Sequence, residues 1–336
     1  MHRAWQRRAL RGTEAGDRWG MRPVAVRSLK HCKQDIWYDG SNRKARMIVQ
    51  QVINGLMLGG IYVLIAVAFT LAVGVLKFLN FSIPGTFMIG GMMSWAMLKV
   101  GWHWSVSFGA AFLCAGFVGL LVYWLTYRPA KNSDPEVPLV SSLGFLVLLE
   151  NIAIIYLGSD QQSFPQVIGD FNMRIGPVVL GGAQLISLII SLGVVFGLSI
   201  FLKKSNAGRR IRAIAESRDT AALLGVNVGA LVPQLFVFNA LFTALGGILF
   251  AISYLQVSPF MGENLGFKGV SAMIVGGMGS IWGAIIGGLL IGLVEVLSIQ
   301  SLGSDFVNIC VYGLLLLLLI VRPEGLLGKP AARDKL

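Results

Sequence analysis

The sequence predicts an all-α fold: a polytopic bundle of membrane helices, with about eight spans plus broken or re-entrant segments. Three observations carry this. The chain has 336 residues, of which 55% are hydrophobic and only 13% charged, whereas soluble domains carry about 25% charged residues. Its apolar residues fall in long charge-free runs, and about 20 such residues cross a bilayer. The cations gather between those runs, where they mark cytoplasmic loops.

Taken in order, the runs are 49–76, 78–98, 100–127, 137–159 (broken only by Glu150), 175–202, 220–262, 269–294 and 306–321. Arg128 and Lys131, the loop 203–218, and the terminal Arg322, Lys329, Arg333 and Lys335 then lie on the cytoplasmic side. The loops 101–104, 158–165 and 258–262 are external, and Trp102 and Trp104 suit an interfacial belt. The sequence divides into a basic tail (1–46), a transmembrane domain (47–328) and a cytoplasmic C-terminal tail (329–336).

The tail 1–46 holds 12 Lys/Arg against 4 Asp/Glu. It lacks the apolar core of a secretory signal. A nucleic-acid arm, a disordered tail and an upstream start codon with Met47 as the true beginning remain open, and a chain begun at Met47 is expected to insert normally. Two crossings before Arg128 put Met47 outside, against the charge of the tail. A broken early segment at Asn80, Phe81, Ser82, Ile83, Pro84 and Gly85 would relieve this, since Pro removes a donor and Gly loosens the backbone. At the other end, 267–278 is expected as a half-helix turning at Gly279-Ser280.

Ten glycines lie between Gly262 and Gly292, and Gly279, Gly283 and Gly287 recur every four residues, as do Gly288 and Gly292, and Gly55 and Gly59. Such spacing lets helices approach closely in lipid. The alternatives are plain close packing and a gated path of broken helices. On the second reading Gly276, Gly277, Gly279 and Ser280 line the path with Asn80, Phe81, Ser82 and Pro84. Glu150 is the ionisable residue deepest in a run, and such residues are costly in a membrane. It reads either as part of the path or as a structural hydrogen-bond partner, and Glu295 as an interfacial residue.

No phosphate-binding Gly-Lys-Ser/Thr loop occurs. The cysteines (Cys32, Cys114, Cys310) and histidines are too scattered for a metal site or redox pair, so no metal and no cofactor is expected, and no catalytic residue. ATP, if it drives this protein, is hydrolysed by another chain. The loop 203–225 carries six Lys/Arg between Lys203 and Asp219 and suits docking of a cytoplasmic partner.

These segments resemble a known family. Residues 53–62 (Ile-Asn-Gly-Leu-Met-Leu-Gly-Gly-Ile-Tyr), the loop Arg212-Ala213-Ile214-Ala215-Glu216 continuing to 222–227, the run 272–280 with Gly283-Ala284 and Gly287-Gly288, and the ending 322–328 (Arg-Pro-Glu-Gly-Leu-Leu-Gly) together resemble LivH-type permeases of branched-chain amino-acid ABC importers. The resemblance implies a multi-pass inner-membrane subunit of an ATP-driven importer of branched-chain or related amino acids. It implies four kinds of partner: a second, LivM-like permease, two ATP-binding subunits, an external binding protein and membrane lipid. Nucleic acid is not expected. The family's acid-Ala-Ala docking helix would fall on Asp219, Thr220 and Ala221, with Gly225 four residues on. A single docking helix over 213–225 is expected, with Ala221, Ala222 and Gly225 packed into the ATPase groove and Arg212 flanking. The family's Asn-Phe-Ala-His-Gly-Glu is Asn80-Phe81-Ser82-Ile83-Pro84-Gly85 here, without His or Glu. This leaves the substrate open to other amino acids, urea or short amides, and small organic acids. An ion-coupled secondary transporter of small solutes is the competing reading. A membrane-embedded enzyme lacks a His/Asp cluster or nucleophile pair.

Overall fold

The computed structural model describes residues 25–130, 133–134, 136–169, 172–175 and 178–328, with side chains between Met47 and Gly328 except those of 131–132, 135, 170–178 and 219. Eleven α-helices of six residues or more are described. They are α1 Ala25–Leu76, α2 Ser82–Lys99, α3 Trp104–Val122, α4 Glu136–Leu157, α5 Gly182–Lys204, α6 Asn206–Glu216, α7 Arg218–Leu223, α8 Val228–Tyr254, α9 Met261–Gly276, α10 Ile281–Ser301 and α11 Val307–Val321. A π-turn, Tyr123–Tyr127, carries α3 on to Ala130. Helical backbone begins at Ala25, where a disordered tail is expected from the charge; residues 1–24 lie outside the described residues.

Seven helices are long and apolar enough to cross a membrane: Met47–Leu76 of α1, α3 with its extension, α4, α5, α8, α10 and α11 with the preceding 3-10 turn. The eighth expected run is α2, which is 18 residues long and buried over most of its length. It packs against α3, α4, α8 and α9, which makes it the axis of the bundle. Its span is discontinuous. α1 ends at Leu76, Lys77 takes a left-handed φ of 62°, and residues 78–81 are not helical before α2 begins. Thr86, in the second turn of α2, hydrogen-bonds Thr243 (2.7 Å), near the middle of the 27-residue α8. The helix therefore starts inside the bilayer.

This corrects the expected break at Pro84-Gly85. Both residues lie in the first turns of α2, where the missing N–H of proline leaves no helical bond unmade. The chain breaks before them, at 77–81. The expected run from 175 also starts differently, because β2 Asn172–Ile175 and β3 Val178–Gly181 form an antiparallel hairpin before α5. A second two-residue pairing, β1 Gln162–Ser163 with β4 Gln256–Val257, ties two loops together, and the Trp95 indole N–H donates to the Ser163 carbonyl at 3.0 Å.

Glycine permits close helix contact. Gly55 and Gly59 of α1 face Gly288 and Gly292 of α10. A Cβ on Gly292 would sit 2.4 Å from the Gly59 nitrogen and 2.5 Å from the Gly55 carbonyl oxygen. No side chain fits there, so the spacing by four serves close packing. Gly292→Val is expected to destabilise the bundle by about 1–3 kcal/mol, read as a lower melting temperature in detergent. Gly313→Val, where nothing lies within 4 Å, should leave it unchanged.

Candidate functional site

The basic surface is built on α6 and α7. Ser205 caps α6, its hydroxyl accepting from the Gly208 N–H at 2.9 Å. Gly208, Ile211 and Ile214 are buried on one side of α6, while Arg209, Arg210 and Arg212 are exposed on the other. A Cβ on Gly208 would lie 2.5 Å from the Leu202 carbonyl, so α6 folds back against the end of α5. Arg212 donates to the Lys203 carbonyl at 3.2 Å.

At Ser217 the chain turns extended (φ −152°, ψ 121°), and its hydroxyl accepts from the Thr220 N–H to start α7. The single helix expected over 213–225 is therefore two helices. The capping propensity of Ser217 wins over continuation, because its hydroxyl satisfies an otherwise unpaired N–H. α7 ends in a Schellman motif: the Gly225 N–H donates to the Ala222 carbonyl and the Val226 N–H to the Ala221 carbonyl, both at 3.0 Å. Gly225 holds φ 82°, which only glycine adopts without strain.

Two expectations on this segment change. Ala221 is 1% exposed and packs in the core, not on the outward surface. What projects outward is Leu223 and Leu224, 88% and 76% exposed, beside exposed Ala222 and Gly225. Asp219 lies in α7, and its side chain is outside the described residues.

Arg218 ties this surface to the membrane helices. Its guanidinium donates to the Leu76 carbonyl at the end of α1 and to the Tyr127 hydroxyl at the end of α3, both at 2.6 Å. Tyr127 in turn stacks on Phe78 in the unwound lead-in to α2 (centroids 5.7 Å apart). Arg218 thus bonds the ends of two spans directly and reaches the lead-in to α2 through Tyr127. Sequence reading counted Arg218 only among the orienting cations.

The glycine break lies beside it. α9 ends at Gly276, Gly277 and Gly279 hold φ of 108° and 84°, and Ser280 caps α10, accepting from the Gly283 N–H at 3.2 Å. The orphan carbonyls at the end of α9 are met by the C-terminal segment: Leu326 N–H donates to Val275 O and Leu327 N–H to Gly276 O, both at 2.9 Å. A cleft of about 660 Å³ opens between the end of α1, the end of α5, α6 and this break. Lys77, Ser199, Lys203, Arg212, Gly279 and Ser280 are among its lining residues.

Deeper in the bundle the remaining path candidates separate. Asn80 and Ser82 are buried at the start of α2, with the Asn80 side-chain Oδ1 accepting from both the N–H and the hydroxyl of Ser82. Beside them Asn239 donates to the Ala68 carbonyl, and its own Oδ1 is buried without a partner among the described residues. The void among Asn80, Ser82, Thr86 and Asn239 is only about 10 Å³, too small to hold a solute. Phe81 is half-buried, edge-on to Phe69 and Phe267. Pro84 is buried against α9, since Cβ atoms on Gly262 and Gly266 would touch it. Glu150 is 7% exposed on α4, with Oε1 unpartnered among the described residues.

Glu295 is not interfacial. It is 8% exposed, and its carboxylate takes a salt bridge from Lys268 (2.6 Å) and a hydrogen bond from the Tyr62 hydroxyl (2.6 Å). This three-helix lock joins α1, α9 and α10. Its two charges are 27 residues apart, outside the reach of any local spacing rule.

A family model described as branched-chain amino acid transport system / permease component matches residues 51–321. The chain belongs to this permease family. The permease is 33% identical over 301 residues to the high-affinity branched-chain amino acid transport system permease protein LivH of Escherichia coli strain K12, covering 84% of this chain and 96% of that protein. It is 31% identical over 295 residues to the corresponding protein BraD of Pseudomonas aeruginosa, again across 84% of this chain and 96% of that one. A probable branched-chain amino acid transport permease protein LivH of Methanocaldococcus jannaschii is 27% identical over 286 residues, or 79% of this chain and 88% of that protein. No solved structure matches the permease. The apolar helices and these relatives make it a multi-pass inner-membrane transport protein.

Proposed function

We propose that the permease is the membrane subunit of an ATP-driven importer. It passes branched-chain amino acids, delivered by an external binding protein, through a route shared with a second permease subunit, and two ATP-binding subunits power it from the cytoplasmic side. The observation that carries the ATP-driven part is α7: an outward Leu223-Leu224 knob on a capped, six-residue helix, tied by Arg218 to the ends of α1 and α3. Exposed leucines on a cationic cytoplasmic surface need a partner groove, and a secondary transporter working alone has no use for one. The names of the relatives support the choice of substrate.

Burying one leucine contributes about 1.5–3 kcal/mol. The double variant Leu223→Asp/Leu224→Asp is therefore expected to weaken association with the ATP-binding subunits by about 100-fold or more. Co-purification and leucine uptake measured together check it: both should be lost while the permease still inserts. Full association of that variant would refute the docking surface.

A further inference from the structure

The cleft at the ends of α1 and α5 carries a charge pattern that the docking leucines leave unused. Lys77, Lys203 and Arg212 line it against one acid, Glu216. All four are exposed, and no ion pair among the described residues involves any of them. The Arg212 guanidinium donates to the Lys203 carbonyl at 3.2 Å, which brings these two cationic residues together where α6 folds back on α5. Lys77 enters from α1 with its left-handed φ of 62°. Glycine would make that turn without strain, yet a long cation stands there. Leu223 and Leu224 are not among the lining residues, so a partner seated on that knob leaves the cleft open.

Below the cations the wall is apolar. Leu71 and Val75 of α1, Leu202 of α5 and Ile211 of α6 line it, with exposed Met278 and Trp282 from the glycine break. Thr70 also lines it. At about 1.5 Å of rise per residue, Thr70 stands roughly 9 Å inside the end of α1 at Leu76. The cleft therefore runs from the charged ends of two spans into their apolar part. Tryptophan favours that interfacial depth. A volume of about 660 Å³ lies in the range of ligand clefts, about 300–1,000 Å³. Cations at the mouth and hydrocarbon below match one kind of membrane component: an anionic headgroup on an acyl chain.

We propose that this cleft binds an anionic phospholipid. Lys77, Lys203 and Arg212 take the phosphate, Arg212 through its planar fork and the lysines as point charges. The upper part of one acyl chain lies along Leu71, Val75 and Leu202. The lipid so held bridges α1, α5 and α6 beside the turn between α9 and α10. The site requires only that the chain span a membrane, so its failure leaves the transport reading standing, and the converse.

The test uses the full-length permease in phosphatidylcholine nanodiscs, with spin-labelled phosphatidylglycerol as the probe and spin-labelled phosphatidylcholine as the reference. Immobilised label should show a preference of about tenfold or more for the anionic lipid, the scale expected of a few cations at a membrane surface. Lys77→Gln/Lys203→Gln should bring that preference within about twofold of none. Arg209→Gln/Arg210→Gln removes the same charge from exposed positions of α6 outside the cleft and should keep it. Equal loss in both variants, or no loss in the first, overturns the proposal. Inorganic phosphate, glycerophosphoglycerol and leucine, each at millimolar concentration, should leave the probe bound. Release by either phosphate compound shows a site for a soluble anion, and release by leucine a site for the solute; both overturn the lipid assignment. Adding the ATP-binding subunits should also leave the probe bound, and its release would show that the cleft is a protein contact instead.

Discussion

Glu295→Ala is expected to cost about 3–5 kcal/mol of stability, because it strands the buried Lys268 ammonium and leaves the Tyr62 hydroxyl without its acceptor. A buried charge without its partner is the expensive state. Removing both charges, as Lys268→Met/Glu295→Leu, should therefore recover much of the loss, since well-packed apolar replacements of a buried pair are often neutral. The measurement is thermal unfolding in detergent of the two single variants and the double. The signature is non-additivity: the double variant should be more stable than Glu295→Ala. If the single effects simply add, Lys268 and Glu295 are not coupled in the folded protein. The pair joins α9 and α10, and Tyr62 extends it to α1, so the broken helix α9 loses two of its anchors together.

Arg218→Ala is expected to uncouple transport from ATP hydrolysis. Each hydrogen bond from a charged donor contributes about 1.5–3 kcal/mol, and Arg218 makes two, to Leu76 and Tyr127. With both gone, α7 still presents Leu223 and Leu224 but is no longer tied to α1 and α3. ATP-binding subunits should still associate, and leucine uptake per ATP should drop by about tenfold or more. Arg218→Lys should not rescue it, because an ammonium cannot reproduce the two-pronged contact of a guanidinium. Uptake and ATPase rates on the same proteoliposome preparation decide this. An Arg218→Ala importer with normal uptake per ATP would show that the tether carries no coupling.

Much of the fold can be read from the residues, and the reasons for the rest are physical. Charge-free runs locate spans because hydrocarbon tolerates no charge, so α1, α3, α4, α5, α8, α10 and α11 are visible. Glycines spaced by four announce a close contact, though not with which helix; Gly55 and Gly59 meet Gly288 and Gly292. Pro84 points to an irregularity but places it wrongly, because a proline in a first helical turn marks a start as readily as a break. Cations at 203–218 mark the side expected to be cytoplasmic. They do not reveal that Arg218 alone turns inward, since a charge count treats all six alike. Ala221 and Leu223 show the same limit from the apolar side: small and large residues on a short helix do not declare which face the chain itself buries. The salt bridge between Lys268 and Glu295 joins two helices across the Gly277–Gly279 turn, and only the tertiary fold makes them neighbours.

On the proposed function, the ATP-binding subunits grip α7 through Leu223 and Leu224. The most direct test places a photoreactive side chain at Leu224 in the assembled importer, and separately at exposed Glu324 in the C-terminal segment. Illumination should join Leu224 to an ATP-binding subunit in high yield and Glu324 weakly. Efficient joining from Glu324 with none from Leu224, in an importer that hydrolyses ATP and takes up leucine, would show that the subunits grip elsewhere.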